Sequence, residues 1–474
     1  MDVQAPPVRP ASSASSIWAT VREAVRGSHQ DYTEGPIGRS IVLLAVPMVL
    51  EMMMESVFAV TDIFFVGRLG ADAVATVGIT ESLMTIIYAV AIGLSIGATA
   101  TVARRIGEKD ADGAARAAVQ SLALGIAAAL VIGGTGAIFA PELLRAMGAS
   151  GDVIRTGSGF ARVMIGMSGT VLLLFLINSI FRGAGDAAIA MRVLWFANAI
   201  NITLGPCLIF GLGPFPALGV KGAAIATSIG RGSGVLFQLY HLTRGGHRVA
   251  VRIRHLRPDP TVMAGILRLS GVGMFQNFIA TSSWVGLVRI LTGFGSAAVA
   301  GNTIGIRIIM FALLPSFGVS NAAATLVGQN LGAGKPDRAE AAAWRAGWYN
   351  TLCLAVIGTI FLVFAPQLIR IFSSDPHVIP YGVRCLRIVA AGFLFYGYGM
   401  VLTQSFNGAG DTWTATFIHL GCLWFLEIPL AWVLAYPLGW GPTGVFIAVS
   451  VAFSALAIVS ATIFKQGRWK TKRV

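Results

Sequence analysis

Residues 181–186 read Phe181-Arg182-Gly183-Ala184-Gly185-Asp186, and residues 406–411 read Phe406-Asn407-Gly408-Ala409-Gly410-Asp411. The offset of 225 between them holds without a gap far upstream. Gly70-x-x-Ala73-Val74-Ala75-x-x-x-Ile79 returns as Gly295-x-x-Ala298-Val299-Ala300-x-x-x-Ile304. Gly93, Ser95, Gly107 and Asp112 return as Gly318, Ser320, Gly332 and Asp337, and Ala140-Pro141-x-Leu143-x-Arg145 as Ala365-Pro366-x-Leu368-x-Arg370. Agreement at one constant offset over such a distance marks an internal duplication. The fold is therefore expected to be two copies of one unit.

What that unit is follows from composition. Of 474 residues, 55% are hydrophobic and 12% charged, with a mean hydropathy of +0.75. Soluble domains carry roughly 25% charged residues, and half that supply cannot clothe a chain of this length in a water-facing surface. The surroundings are lipid. Twelve apolar runs of about 20 residues lie near 41–66, 71–103, 115–140, 158–181, 190–212, 219–243, 262–292, 297–326, 340–364, 382–405, 413–436 and 443–465. They predict an all-α integral membrane protein of twelve spans, six per repeat. An even number returns the chain to its starting side, so both repeats insert alike and are related by a pseudo-twofold along the membrane normal, as in secondary transporters with a cavity between their halves.

The basic residues orient it. Of 35 Lys and Arg, 23 fall in the tails and the even-to-odd connections and 5 in the odd-to-even ones. That asymmetry places both termini in the cytosol of a plasma or inner membrane, and it accounts for the net charge of +14 without a nucleic-acid partner. The expected parts are a disordered tail over 1–39, an N-lobe over 40–243, a basic linker over 244–260, a C-lobe over 261–465 and a basic tail over 466–474. A short amphipathic helix is expected near Ile17 to Val25. The prolines and serines before it, including Pro6, Pro7 and Pro10, do not form the apolar core of a cleaved signal peptide. The cysteines (Cys207, Cys353, Cys385 and Cys422) lack disulfide or metal spacing.

Local chemistry explains some motifs structurally. In the repeated hexapeptide a glycine closes one helix in the left-handed region, while Asp186 and Asp411 are expected to cap the next helix. Gly328-Gln329-Asn330-Leu331-Gly332-Ala333-Gly334 reads as a turn between spans 8 and 9 and lacks the Lys-Ser/Thr of a phosphate loop. No Walker motif occurs, which argues against direct ATP hydrolysis.

Pro47 followed by Thr61-Asp62-Ile63-Phe64-Phe65-Val66-Gly67-Arg68-Leu69-Gly70, together with FRGAGD, GQNLGAGK and Pro437-Leu438-Gly439-Trp440-Gly441-Pro442-Thr443-Gly444, resembles the multidrug and toxic compound extrusion (MATE) family. The resemblance covers residues 36–466. It implies an antiporter that spends inward sodium or proton flow to expel amphiphilic, often cationic compounds by rocking two lobes around a central cavity. It also implies a key acid in span 1, matched by Asp62, and a second in an Asn-x-x-x-Asp-Pro segment of span 5. Here that segment reads Asn201-Ile202-Thr203-Leu204-Gly205-Pro206, with glycine in place of the acid. The acids that some branches carry on spans 7 and 10 are absent, and span 7 offers Gln276 and Asn277.

Five acids fall inside spans: Glu51, Glu55, Asp62, Glu81 and Glu427. An ionisable group in hydrocarbon costs at least about 2.5 kcal/mol and marks a functional position by default. At 100° per residue Glu51, Glu55 and Asp62 share one face of span 1. Glu55 and Glu81 each lie roughly 15 Å below the outer ends of their spans, so they are expected to meet. Proton coupling through Asp62, Glu55 and Glu81, with Asn201 as a neutral partner and Glu51 nearby, is the leading expectation; sodium is the alternative. No cofactor or resident metal is expected besides the coupling ion itself.

The second repeat carries Arg289 and Arg307, which under the offset match Phe64 and Ser82. They are expected to pair with Glu81 or Glu427, or to meet an anionic substrate group. Gln276, Asn277, Arg289, Arg307 and Glu427 are the candidate substrate-cavity residues. A monomeric exporter of small molecules embedded in lipid is the reading these residues carry. A flippase for a lipid-linked or anionic substrate stands beside it. A membrane enzyme or receptor is disfavoured, because of the six histidines only His419 lies inside a span.

Overall fold

In lipid the backbone must bond to itself within each crossing segment, and the chain does so by folding as α-helix. The computed structural model describes residues 13–28, 30–245 and 248–472; the expectations for residues 1–12 lie outside them. Span 1 is Ile37–Gly67, span 2 Ala71–Gly107 and span 3 Ala111–Ile138. Span 4 is the pair Gly151–Gly166 and Ser168–Ala184, span 5 is Ala187–Phe210 and span 6 Val220–Arg244. Spans 7, 8 and 9 are Pro260–Thr292, Ser296–Gly332 and Pro336–Phe372. Span 10 is the pair Ile379–Ala391 and Phe393–Gly408, bent by 61°. Span 11 runs Thr412–His419, Leu420–Glu427 and Ile428–Ala435, its middle piece π-helical, and span 12 is Pro442–Lys465. Among the described residues ten helices are long and apolar enough to cross a membrane, eleven with the bent pair. The twelfth, span 6, is less apolar, with Arg231, Gln238 and several glycines and serines in its interior. The breaks in spans 4 and 10 fall at Met167 and Gly392, which are equivalent under the 225 offset.

The duplication becomes a physical axis where the lobes touch. Spans 1 and 2 pack on spans 8 and 7. A Cβ on Gly107 would stand 2.0 Å from the Gln329 carbonyl oxygen, and one on Gly332 2.2 Å from the Arg104 carbonyl oxygen. Positions 104 and 329 are themselves equivalent, so the contact is self-complementary, as a twofold demands. Gly318 against Val49 and Gly93 against Met274 form a second such pair, each with a glycine Cβ position under 3 Å from the facing backbone. All these contacts lie toward the end bearing both termini. Beyond them span 1 loses its partner: Val49 is covered by Gly318, but Met53, Val57, Val60 and Phe64, within about 80° of Val49 around the helix, are exposed. The lobes are sealed at the terminal end and open at the far end.

The segments around the seal correct three expectations. Part of the tail expected to be disordered is ordered: Ser13–Arg26 is a helix packed on span 1, longer than the short helix expected near Ile17 to Val25. The following strap is bonded to both lobes, through Tyr32 Oη donating to the Gly185 carbonyl (3.3 Å), Lys335 Nζ to the Thr33 carbonyl (3.0 Å) and Arg338 Nη2 to the Glu34 carbonyl (2.8 Å). The stretch Gly328–Gly332 is not a turn but the last turn of span 8, because its glycines permit the backbone contact with span 2. The turn is confined to the residues after it, with Gly334 at φ +69°. Gly185 and Gly410 do adopt φ +91° and +83°. Asp186 and Asp411 make no side-chain cap, since basic residues claim them: Arg248 reaches Asp186 at 3.7 Å and Lys472 reaches Asp411 at 3.3 Å.

Candidate functional site

Span 1 presents its acids to spans 4 and 6 inside the first lobe. Glu51, 1% exposed, pairs with Arg182 of span 4 at 2.8 Å. Asn178 Nδ2 donates to the same carboxylate oxygen at 3.0 Å, and Gln238 of span 6 donates to Asn178 Oδ1. One turn outward, Glu55 pairs with Arg231 of span 6 at 3.3 Å. The Arg231 guanidinium also lies over the Phe58 ring, 5.1 Å from its centroid, and interacts with Tyr88 of span 2 and with Asp62. Buried charges persist only when paired, and these two acids are held by two arginines.

Further out the pairing stops. Asp62 is half-buried and feels both Glu81 and Arg231 electrostatically. Glu81 is exposed on span 2, and Arg307, exposed on span 8, acts on it from the second lobe. Among the described residues neither Glu81 nor Arg307 is in an ion pair. Arg307 lies about 20° from Gly318 around span 8, so it occupies the face that seals against span 1 below and is open above. Each lies roughly 15 Å or slightly more from the outer end of its span.

Other expected site residues are placed elsewhere. Glu55 and Glu81 do not bond to each other, since Arg231 takes Glu55. Asn201 donates to Thr227 Oγ1 at 2.9 Å within the first lobe. Gln276 is buried with its amide 3.3 Å from His419 Nδ1, facing span 11 and not the cleft; Asn277 beside it is half-buried. Glu427 is buried inside the second lobe on Ser283 and pairs with no arginine among the described residues. Arg289 lies three residues from the end of span 7, in a shallow pocket with Trp432 and Tyr436. It therefore sits nearer the rim than Arg307.

Arg182 and Arg231 were not singled out by sequence. Arg182 sits in a hexapeptide that reads as a connection, and its long side chain carries the charge back into the lobe. Arg231 had a detectable signal, a lone base in the middle of a span.

Two duplicated six-span lobes, sealed at one end around a cleft whose walls bear unpaired charge, define a two-lobed multi-pass membrane transporter. The MatE family model matches residues 47–207 and again 273–433, once per lobe, and the chain belongs to that family. It is 26% identical over 441 residues to the probable multidrug resistance protein NorM of Thermotoga maritima, covering 92% of this chain and 94% of that protein. It is 27% identical to the FAD transporter of Shewanella oneidensis over 84% of this chain and 88% of that one. A solved multidrug resistance MATE family transporter in its outward-facing conformation superimposes with a TM-score of 0.87 at 25% identity, covering 95% of this chain and 98% of that one.

Proposed function

We propose that this chain is a proton-coupled antiporter of the inner membrane that exports amphiphilic, cationic small molecules by alternating access. It works as a monomer with both termini in the cytosol, as a transporter and not an enzyme, with the proton as coupling ion and no cofactor. The observation that carries this reading is Arg231. It fills the place beside Glu55 that a coordinated cation would take, with Asp62 in electrostatic reach. Sodium requires several oxygen ligands at once and room among them, whereas a proton needs one oxygen. Protons entering through the open cleft reach Glu81 and Asp62 first. Neutralising Asp62 leaves Arg231 with Glu55 as its counter-ion, and neutralising both acids would leave a buried guanidinium uncompensated. That imbalance, worth several kcal/mol, is a driving term for repacking the lobe.

The test is transport in proteoliposomes under a proton or a sodium gradient imposed separately, following a fluorescent organic cation. A proton gradient is expected to drive efflux, and Asp62→Asn and Glu55→Gln to reduce it at least about tenfold. Sodium-driven efflux at symmetric pH, undiminished in both variants, would overturn the coupling. Arg307 favours a second reading, in which an anionic or lipid-linked substrate binds the second lobe; similarity to a protein named as an FAD transporter accords with it. Preferential efflux of an anionic dinucleotide, abolished by Arg307→Ala, would replace the cationic assignment.

A further inference from the structure

Glu427 is 3% exposed at the end of the π-helical stretch Leu420–Glu427, deep within the second lobe. π-Helical turns concentrate at functional positions, and the duplicate of this span, span 5, is α-helical throughout. Pro429, two residues on, contributes no backbone donor to the register. Ser283 of span 7 places its hydroxyl oxygen 2.5 Å from Glu427 Oε2 and 3.1 Å from the Leu423 carbonyl oxygen. A serine hydroxyl has one hydrogen to give. When it donates to Leu423, the shorter contact requires a hydrogen from the carboxyl, so both contacts are satisfied together by a protonated Glu427.

The surroundings agree. The titratable groups facing Glu427 are Cys422 of its own turn and Tyr396 of span 10. Span 7 offers the neutral Ser283, and the stretch of span 12 from Val445 to Leu456 carries no titratable side chain. Among the described residues no cation acts on the carboxyl. An ionised carboxylate buried without a partner is costly, and such a group takes up a proton instead.

We propose that Glu427 is a second proton-binding site, confined to the C-lobe and separate from the acids of span 1. The proton is bound to Oε2 and donated to Ser283 Oγ. On release the O–H bond breaks, its electron pair stays on the carboxylate and the proton passes to water admitted as spans 7 and 11 repack. Protonation of Glu427 can be read directly, whichever substrate is carried.

The test is infrared difference spectroscopy of the purified full-length protein on a pH step, comparing wild type with Glu427→Gln, Ser283→Ala and Asp62→Asn. The expected result is a protonated-carboxyl C=O band that is lost in Glu427→Gln, retained in Asp62→Asn and shifted in Ser283→Ala, where its hydrogen bond is gone. If Glu427→Gln does not fold, the shift in Ser283→Ala alone decides. A wild-type band set unchanged in Glu427→Gln, or a band unmoved by Ser283→Ala, overturns the proposal.

Discussion

Gly107 and Gly332, equivalent glycines of the two repeats, pack against one another where span 2 crosses span 8: a Cβ on Gly332 would lie 3.0 Å from Gly107 Cα and 2.2 Å from the Arg104 carbonyl oxygen. The closed end of the transporter therefore rests on backbone touching backbone at its own pseudo-twofold. A side chain cannot be moved aside there, because none is present.

Gly332→Ala is accordingly expected to disfavour the sealed state by about 1–3 kcal/mol, the usual cost of overpacking. In a background lacking the native cysteines, Ala103→Cys, buried beside Gly328, should label with a membrane-impermeant thiol reagent from the terminal side at least about fivefold faster in the variant. Equal labelling rates would show that the glycine contact does not hold the seal.

The Glu51–Arg182 pair is buried on both sides. Removing one partner strands a charge, at a typical cost of about 3–5 kcal/mol. Arg182→Met should therefore lower the thermal midpoint sharply, and adding Glu51→Gln should recover much of the loss. A double variant as damaged as the sum of two damaged single variants would mean the two residues act independently.

Gly205 occupies the position where the family pattern has an acid, and a Cβ built there meets nothing within 4 Å. Gly205→Asp is expected to fold with little loss, since glycine is not required by the backbone in this helix. It adds a carboxylate to the first lobe, so sodium-dependent efflux should appear or rise in proteoliposomes. Expression and thermal midpoint comparable to wild type without any sodium response would show that the missing acid does not set ion choice.

One clamp outside the spans, on the C-terminal tail, responds to pH. Hydrogen bonds to Glu340 and Asp337 raise the Lys470 ammonium above its ordinary 10.5. Its support for the C-terminal tail is complete below 10.5 and is lost as pH rises through the folded value. Hydrogen exchange should show residues 468–472 loosening in alkali, more readily at high salt. Protection insensitive to Lys470→Ala would remove the tail clamp from this account.

Much of this was legible in one dimension. The 225 offset and the apolar runs led to twelve spans in two lobes, because hydrocarbon leaves the backbone few choices and duplication repeats them. Asp62, Glu55 and Glu81 stood out for the same reason, since charge in a span is conspicuous. The chain also misled at Gly328–Gly332, where glycine signals a turn by propensity but serves close helix packing in lipid. Arg182 was counted with a connection because position along the chain says nothing about where a long side chain delivers its charge.

Sequence by itself determined the membrane class, the number of spans, their pairing by duplication and the short list of embedded acids, all consequences of local composition and period. Tertiary structure alone decided which charges are neutralised. Arg231 reaches Glu55 from 176 positions away and Arg182 reaches Glu51 from 131, leaving Glu81 and Arg307 facing the cleft and Glu427 alone in the C-lobe. Pairing is a matter of a few ångströms between residues far apart in the chain, and only the packing of helices against one another sets those distances.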